Sequence, residues 1–365
     1  MNIAFYVDEM NLRGVANSTY QFAYQNKKIL NNKSLIFYNK KNYRNKSNVI
    51  KRFQRKFRVI GVSEFKEIDN YKDKFLIDYI YVQKGGNKDN WVSNKIKTLV
   101  HGVYPQKINQ IHGYRFAYIS EWLSKNFSNN KIPFVPLITE VSKTEENLKK
   151  RSMISKDKLV LGCYGGESSF DLKFAQLAIK TIIDKRKDII FLFLNINKFC
   201  SHKQIKFLKG TTDENFKKKF INSCDAMIYG RSLGESFGLS CGEFAIENKL
   251  IISYKFNRHR SHSYNITSKQ FIEYESYKSL VKILFNLKKR SLSYKNKYQN
   301  YTNKKMIKVF QNVFLKDTKE KNFTLKDKLK NTLSFIVMGY RYLRYKIYVH
   351  YFNFIEIKFI RSILK

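Results

Sequence analysis

Two glutamates, Glu235 and Glu243, stand eight positions apart in Gly234-Glu-Ser-Phe-Gly-Leu-Ser-Cys-Gly-Glu-Phe244, just after the apolar run Asp225-Ala-Met-Ile-Tyr229. Carboxylate oxygens accept hydrogen bonds from hydroxyls, so acids at this spacing suit a ligand rich in diols. Between them, Ser236, Phe237, Gly238 and Leu239 read as a turn into a helix that begins near Gly238. The unpaired amides and positive dipole end of that helix would favour an anion. A rise of ~1.5 Å per residue puts Glu243 about a turn and a half inside the helix, while Glu235 stays in the loop. Staggered acids around an anion-friendly helix start fit hydroxyls at two ends of a ligand with a diphosphate in the middle, the build of a nucleotide sugar. The plainer reading is a capping acid and a solvated helix residue.

Chemistry of this kind needs a strand that ends beside the turn. Met1–Val7, a helix over 18–30 carrying Tyr20, Ala23, Tyr24 and Ile29 on one face, and Ser34–Tyr38 open the chain as a βαβ unit. Arg13-Gly-Val-Ala16 reads as the loop between them. Further strands are predicted at 57–62, 75–82, 97–100 and 115–119. After the prolines of Pro133-Phe-Val-Pro136 comes a polar stretch without a strand, and the pattern then restarts at Leu159–Tyr164. Helix 171–183, strands 189–194 and 205–208, helix 214–223, and strands 226–229 and 250–254 follow. The expected fold is α/β: two doubly wound Rossmann-like domains facing a cleft. Their expected bounds are 1–140 and 158–300, with a linker over 141–157, a closing helix within 301–320 and a basic aromatic extension over 321–365.

The net charge of +41, from 70 Lys and Arg against 29 Asp and Glu, invites an anionic partner, although much of it reads as solvated surface. With 43% hydrophobic residues the chain is not a disordered polycation. Cys163, Cys200, Cys224 and Cys241 have neither CxxC nor metal-ligand spacing and read as reduced core residues. His112, His202, His259 and His262 read as structural. The first residues carry acids where a signal peptide is apolar, and no run has the length of a spanning helix. A cytoplasmic location is expected, with peripheral contact at an inner membrane face.

The segment from Cys224 to Ala245, followed by Lys249-Leu-Ile-Ile-Ser253, resembles the E-x7-E block of retaining GT-B glycosyltransferases of the glycosyltransferase 4 type. Arg13-Gly-Val-Ala, Thr98-Leu-Val-His101 and Tyr118-Ile-Ser-Glu-Trp-Leu123 resemble the family's first-domain motifs. The resemblance implies sugar transfer from a UDP- or GDP-linked donor to a glycan or lipid-linked acceptor with retention, and without a metal or other cofactor. It implies that Glu243 holds the ribose hydroxyls, that Glu235 lies near the donor sugar, that His101 sits at the reaction centre, and that Gly14 lets backbone approach the diphosphate. The family's usual Arg and Lys are missing from Tyr164-Gly-Gly-Glu-Ser-Ser-Phe-Asp171. Arg231 or Lys173 would replace them, or Ser168 and Ser169 would supply hydroxyl donors.

The tail interleaves bases with aromatics and puts Leu325, Leu329, Leu333, Ile336 and Tyr340 on one helical face. It fits an anionic membrane surface or packing onto the body better than nucleic acid, for which no recognition motif is present. The alternative to an enzyme is a non-catalytic basic GT-B-like protein that binds an anionic membrane or nucleic acid.

Overall fold

Parallel strands covered by helices on both faces read as continuous apolar runs, and this chain supplies them in two sets. The computed structural model describes residues 1–290, 293–316 and 322–363, with side chains described through 352. The chain divides into two units, Met1–Glu140 with Lys297–Ser334 and Val141–Asn296 with Phe335–Lys365.

In chain order the first unit begins with β1 (Asn2–Val7), α1 (Gly14–Lys28), β2 (Lys33–Asn39), α2 (Ser47–Gln54), β3 (Arg58–Val62) and α3 (Lys72–Phe75). It continues with β4 (Tyr79–Lys84), β5 (Lys97–Gly102), β6 (Arg115–Tyr118) and α4 (Glu121–Ser128). Its sheet has the order β3-β2-β1-β4-β5-β6, and all its pairings are parallel. Two expectations need correction here. Helix α1 starts at Gly14 rather than Ser18, and it buries Ala16, Thr19, Phe22 and Ala23, while Tyr20 and Tyr24 stack on each other at its flank. The strand expected from residue 75 starts at Tyr79, because Phe75 closes α3 and Leu76 takes a left-handed conformation at φ 48.

The second unit runs β7 (Leu159–Tyr164), α5 (Lys173–Lys185), β8 (Ile189–Leu194), β9 (Ile205–Leu208), α6 (Glu214–Ser223) and β10 (Ala226–Tyr229). Then come β11 (Gly234–Glu235), α7 (Leu239–Ile246), β12 (Leu250–Tyr254), β13 (His259–Arg260), α8 (Ser261–Asn265), β14 (Phe271–Tyr274) and α9 (Tyr277–Asn286). The main sheet has the order β14-β12-β10-β7-β8-β9, again parallel, and β11 pairs with β13 alone. Counted from its own first strand, each main sheet has the doubly wound order 3-2-1-4-5-6. The stretch 141–158 has no strand or helix and is tied to α6, where Leu148 N donates to Ser223 Oγ at 2.6 Å and Asn222 Nδ2 to Thr144 O at 2.8 Å.

Helix α10 (Asn303–Phe310), capped by Thr302 and continued by a π-helical turn at Gln311–Leu315, returns to the first unit. Phe310 is fully buried there, with ring centroids 5.3 Å from both Phe22 and Tyr81. Residues 317–321 and 364–365, which the expected closing helix and extension include, lie outside the described residues. The rest of the extension is one helix, α11 (Leu325–Ile363), capped by Thr324 and Asp327.

If α10 is an integral layer of the first unit, Phe310→Ala should cost roughly 3–5 kcal/mol, the range for emptying a buried aromatic site. The urea midpoint of the first unit's transition measures this. A cost below about 1 kcal/mol contradicts the packing.

Candidate functional site

A ligand in an open parallel sheet sits beyond the strand carboxyl ends, where the strand order reverses. In the second unit that point is between β7 and β10, which pair through Ala226 with Leu161 and Met227 with Gly162. The loop 165–171 leaves β7 and the loop 230–238 leaves β10, so the two sequence-predicted stretches meet at one sheet edge. They are tied together, because Ser232 donates to Asp171 from its backbone N at 2.7 Å and from Oγ at 2.8 Å.

Glu235 lies in β11, held against Arg260 by strand pairing, and not in an irregular loop as expected. One carboxylate oxygen, Oε1, accepts from Tyr229 Oη at 2.5 Å and from Arg231 Nη1 at 3.1 Å. Its side chain is 19% exposed and that of Arg231 is 28% exposed. The pair is therefore partly open to solvent, and a guanidinium is a planar fork of donors of the kind that suits phosphate. Gly234 is required at its position. Its φ is +68, and a Cβ there would meet the His259 carbonyl oxygen at 2.1 Å.

Glu243 departs from expectation. It sits in the second turn of α7, only 3% exposed, and its Oε1 accepts from Lys217 Nζ of α6 at 2.9 Å. Burial raises its pKa from 4.5 to about 8. Its Oε2 is buried with no hydrogen-bond partner. Ser236 and Phe237 are also turned inward, at 6% and 2% exposure, and Gly238 is buried at the N-cap of α7 with φ 88. Leu239 is half-buried, Ser169 is half-buried, and Ser168 and Lys173 are exposed. Of the expected contacts, the surface at this edge thus offers Arg231, Glu235, Leu239, Ser168, Ser169 and Lys173.

His101 also requires correction. It is fully buried in the first unit, with Nδ1 2.6 Å from Tyr81 Oη and Nε2 2.9 Å from the Val135 carbonyl oxygen. Phe22 and Phe314 pack on its ring. Burial lowers its pKa to about 3, so the imidazole is neutral. It is a core histidine in this conformation, with both nitrogens engaged and no surface for a sugar. Gly14 is exposed as the first residue of α1, beyond the end of β1. At the neighbouring end of β4, Lys84 is buried between Asp89 and His112 Nε2, the latter at 2.8 Å, and desolvation lowers its pKa.

Sequence reasoning missed Tyr229 and Lys217, which hold the two glutamates. Tyr229 carries a readable signal, since a tyrosine ending an apolar strand beside an acid-bearing loop needs an acceptor for its hydroxyl. Lys217 has none, being 26 positions from Glu243 on a lysine-rich helix. Among the described residues there is no group of three or more His, Cys, Asp or Glu side chains able to hold a metal.

No family model and no curated protein matches the sequence. Solved structures do match the fold. A glycosyltransferase from Rickettsia africae is 13% identical with a TM-score of 0.58, over 92% of this chain and 97% of that one. Anabaena HepE, solved with UDP and glucose, is 9% identical with a TM-score of 0.59, over 93% and 99%. A UDP-N-acetylglucosamine 2-epimerase, so described for Listeria monocytogenes as a provisional assignment, is 9% identical with a TM-score of 0.55, over 89% and 99%. At such identities the likeness establishes the fold, two Rossmann-like α/β units of GT-B type, and the neighbours themselves differ in their chemistry.

Glu243 makes a pH-dependent contribution to stability. The folded carboxyl holds its proton up to about pH 8, against 4.5 for an ordinary glutamate, so the native state binds more protons between those values. Stability therefore falls as pH rises through that window. Glu243→Gln should gain in Tm over the parent protein between pH 5 and pH 8. A Tm difference that stays flat, or that turns against the glutamine with rising pH, would show that Lys217 keeps the carboxylate charged.

Proposed function

We propose that this protein is a glycosyltransferase that takes a sugar from a UDP- or GDP-linked donor and passes it to a carbohydrate hydroxyl on a glycan or lipid-linked glycan. The observation that carries this reading is the position of the Arg231–Glu235 pair at the reversal point of the second sheet, directly ahead of the start of α7. The GT-B fold shared with HepE, which has been solved with UDP and glucose, supports a nucleotide sugar at that edge.

In this reading Arg231 and the α7 amides face the donor diphosphate, with Lys173 and the hydroxyls of Ser168 and Ser169 beside them. As the glycosidic bond to the diphosphate breaks, negative charge grows on the leaving oxygen. A pre-positioned guanidinium and oriented amides stabilise that charge without a resident metal or other cofactor. Tyr229 fixes the Glu235 carboxylate toward the donor sugar. Glu243 is assigned to the ribose hydroxyls, which would supply the partner that its buried Oε2 lacks. We assign retention of configuration, with the acceptor hydroxyl entering on the face that the diphosphate leaves. Gly14 is assigned to close backbone approach, and His101 to the packing of the first unit.

A non-catalytic reading is favoured by one set of observations, the burial of His101 and Glu243 together with the acids Glu167 and Asp171 in the loop where bases would be expected. Thermal shift and product analysis separate the two. A nucleotide sugar at about 100 Kd should stabilise the protein by ~2.7 kcal/mol. Arg231→Ala should lower kcat/KM by roughly 10²-fold or more. Absence of any shift with UDP, GDP or their sugar conjugates contradicts the enzyme reading, and a changed donor sugar without transfer would make it an epimerase.

A further inference from the structure

Helix α11 is apolar on two opposite sides, and only one of them is covered. On the covered side Asn331 Nδ2 donates to the Gln106 and Phe127 carbonyl oxygens in the first unit at 2.9 and 2.7 Å, and Met338 is buried. Further along, in the second unit, Tyr348 Oη accepts from Tyr277 N at 2.8 Å, and the Tyr348 and Phe352 rings pack on Phe174. Residues 331–334 of the helix are thus packed within the first unit, and Met338, Tyr348 and Phe352 within the second.

The opposite side carries Leu333, Ile336, Tyr340, Leu343, Ile347 and Tyr351, each 56–61% exposed. At about 100° per residue these positions fall in a wedge about 80° wide, and the row spans roughly 27 Å. It extends back to Leu325, which is 73% exposed. On the same wheel Lys326, Lys330, Arg341 and Arg344 flank one side of the wedge, and Lys328 and Lys346 flank the other. The only acid from 325 to 352 is Asp327, which is 1% exposed and bound to Thr324 and Asn129. The charges that the helix itself sets beside the row are thus all cationic, with Glu273 and Glu275 of the body near Arg341 and Arg344.

An apolar strip of this length in water calls for an occupant. Its spacing of three and four residues also fits a second copy in a coiled coil. In that arrangement Arg344 and Lys346, beside the seam, would face the same cations of the partner in either orientation, with no acid on the helix itself to offset them. Nucleic acid would satisfy the bases but leave the leucines and isoleucines unburied. An anionic bilayer satisfies both, because aliphatic and tyrosine side chains enter the headgroup boundary while the flanking bases meet lipid phosphates.

We propose that α11 docks this protein on an anionic phospholipid bilayer along the Leu333–Tyr351 row. The inference is independent of the sugar-transfer reading. No described helix is long and apolar enough to cross a membrane, so the contact is surface-parallel.

The test is co-sedimentation of the full chain with phosphatidylcholine vesicles, with and without phosphatidylglycerol. The protein should pellet with the anionic vesicles only, and less so as salt rises. Leu343→Glu with Ile347→Glu should weaken binding at least roughly tenfold while leaving the melting temperature intact, since both side chains are exposed. Arg344→Gln with Lys346→Gln should weaken it by roughly fivefold per base. Failure to bind anionic vesicles, or equal binding by the Leu343/Ile347 variant, overturns the proposal. So does a self-associated or nucleic-acid-bound parent that this variant disperses. Thermal shift with nucleotide sugars should be the same for parent and helix variants, so failure of the membrane contact is read separately from failure of the enzyme reading.

Discussion

Where the winding of a parallel sheet reverses, two neighbouring strand ends send their loops in opposite directions, and backbone there is left open to a ligand. Both units of this chain are organised around such a point. In the second unit the loops after β7 and β10 diverge from it, and the chain fills the space with Arg231, Glu235 and the start of α7. Everything assigned to the site follows from that placement. Tyr229 ends the strand inside the sheet and reaches the acid from beneath, while Gly234 permits the tight pairing of β11 with β13.

Electrostatics then separates residues that look alike in sequence. Glu235 keeps partial exposure and is paired with the Arg231 guanidinium. Glu243, eight residues on, is buried against Lys217 and pushed toward its neutral form. His101 and Lys84 are both buried in the first unit, and they differ in their partners. The histidine is neutral and enclosed, whereas the lysine stays paired with Asp89 and contacts His112 at a strand end. Burial, more than residue type, decides which of these groups can meet a ligand.

Much of the second unit was legible because most of its strands are buried on both faces and appear as near-continuous apolar runs, the edge strand Ile205–Leu208 with its Lys206 being the exception. Leu159–Tyr164, Ile189–Leu194, Ile205–Leu208, Ala226–Tyr229 and Leu250–Tyr254 occur as expected, as does helix 214–223, which starts at the Asp213 cap. The first unit was less legible where local rules compete. Phe75-Leu-Ile reads as strand, yet the left-handed turn at Leu76 ends a helix there. The direction of the His101 and Glu243 side chains was not legible at all. It depends on Tyr81 and Val135 in one case and Lys217 in the other, partners that only the tertiary fold brings near. For α11 the pattern gave the apolar face, but only the packing of Met338, Tyr348 and Phe352 reveals that a second apolar face is the covered one.

The central claim is that the reversal point of the second sheet receives a nucleoside diphosphate. Hydrogen exchange read by mass spectrometry, with and without UDP or GDP, addresses it most directly. The account predicts slowed exchange in peptides covering 165–171 and 230–246, with the β12 and β14 peptides unchanged. Nucleotide binding that protects other peptides and leaves these two stretches untouched would contradict it.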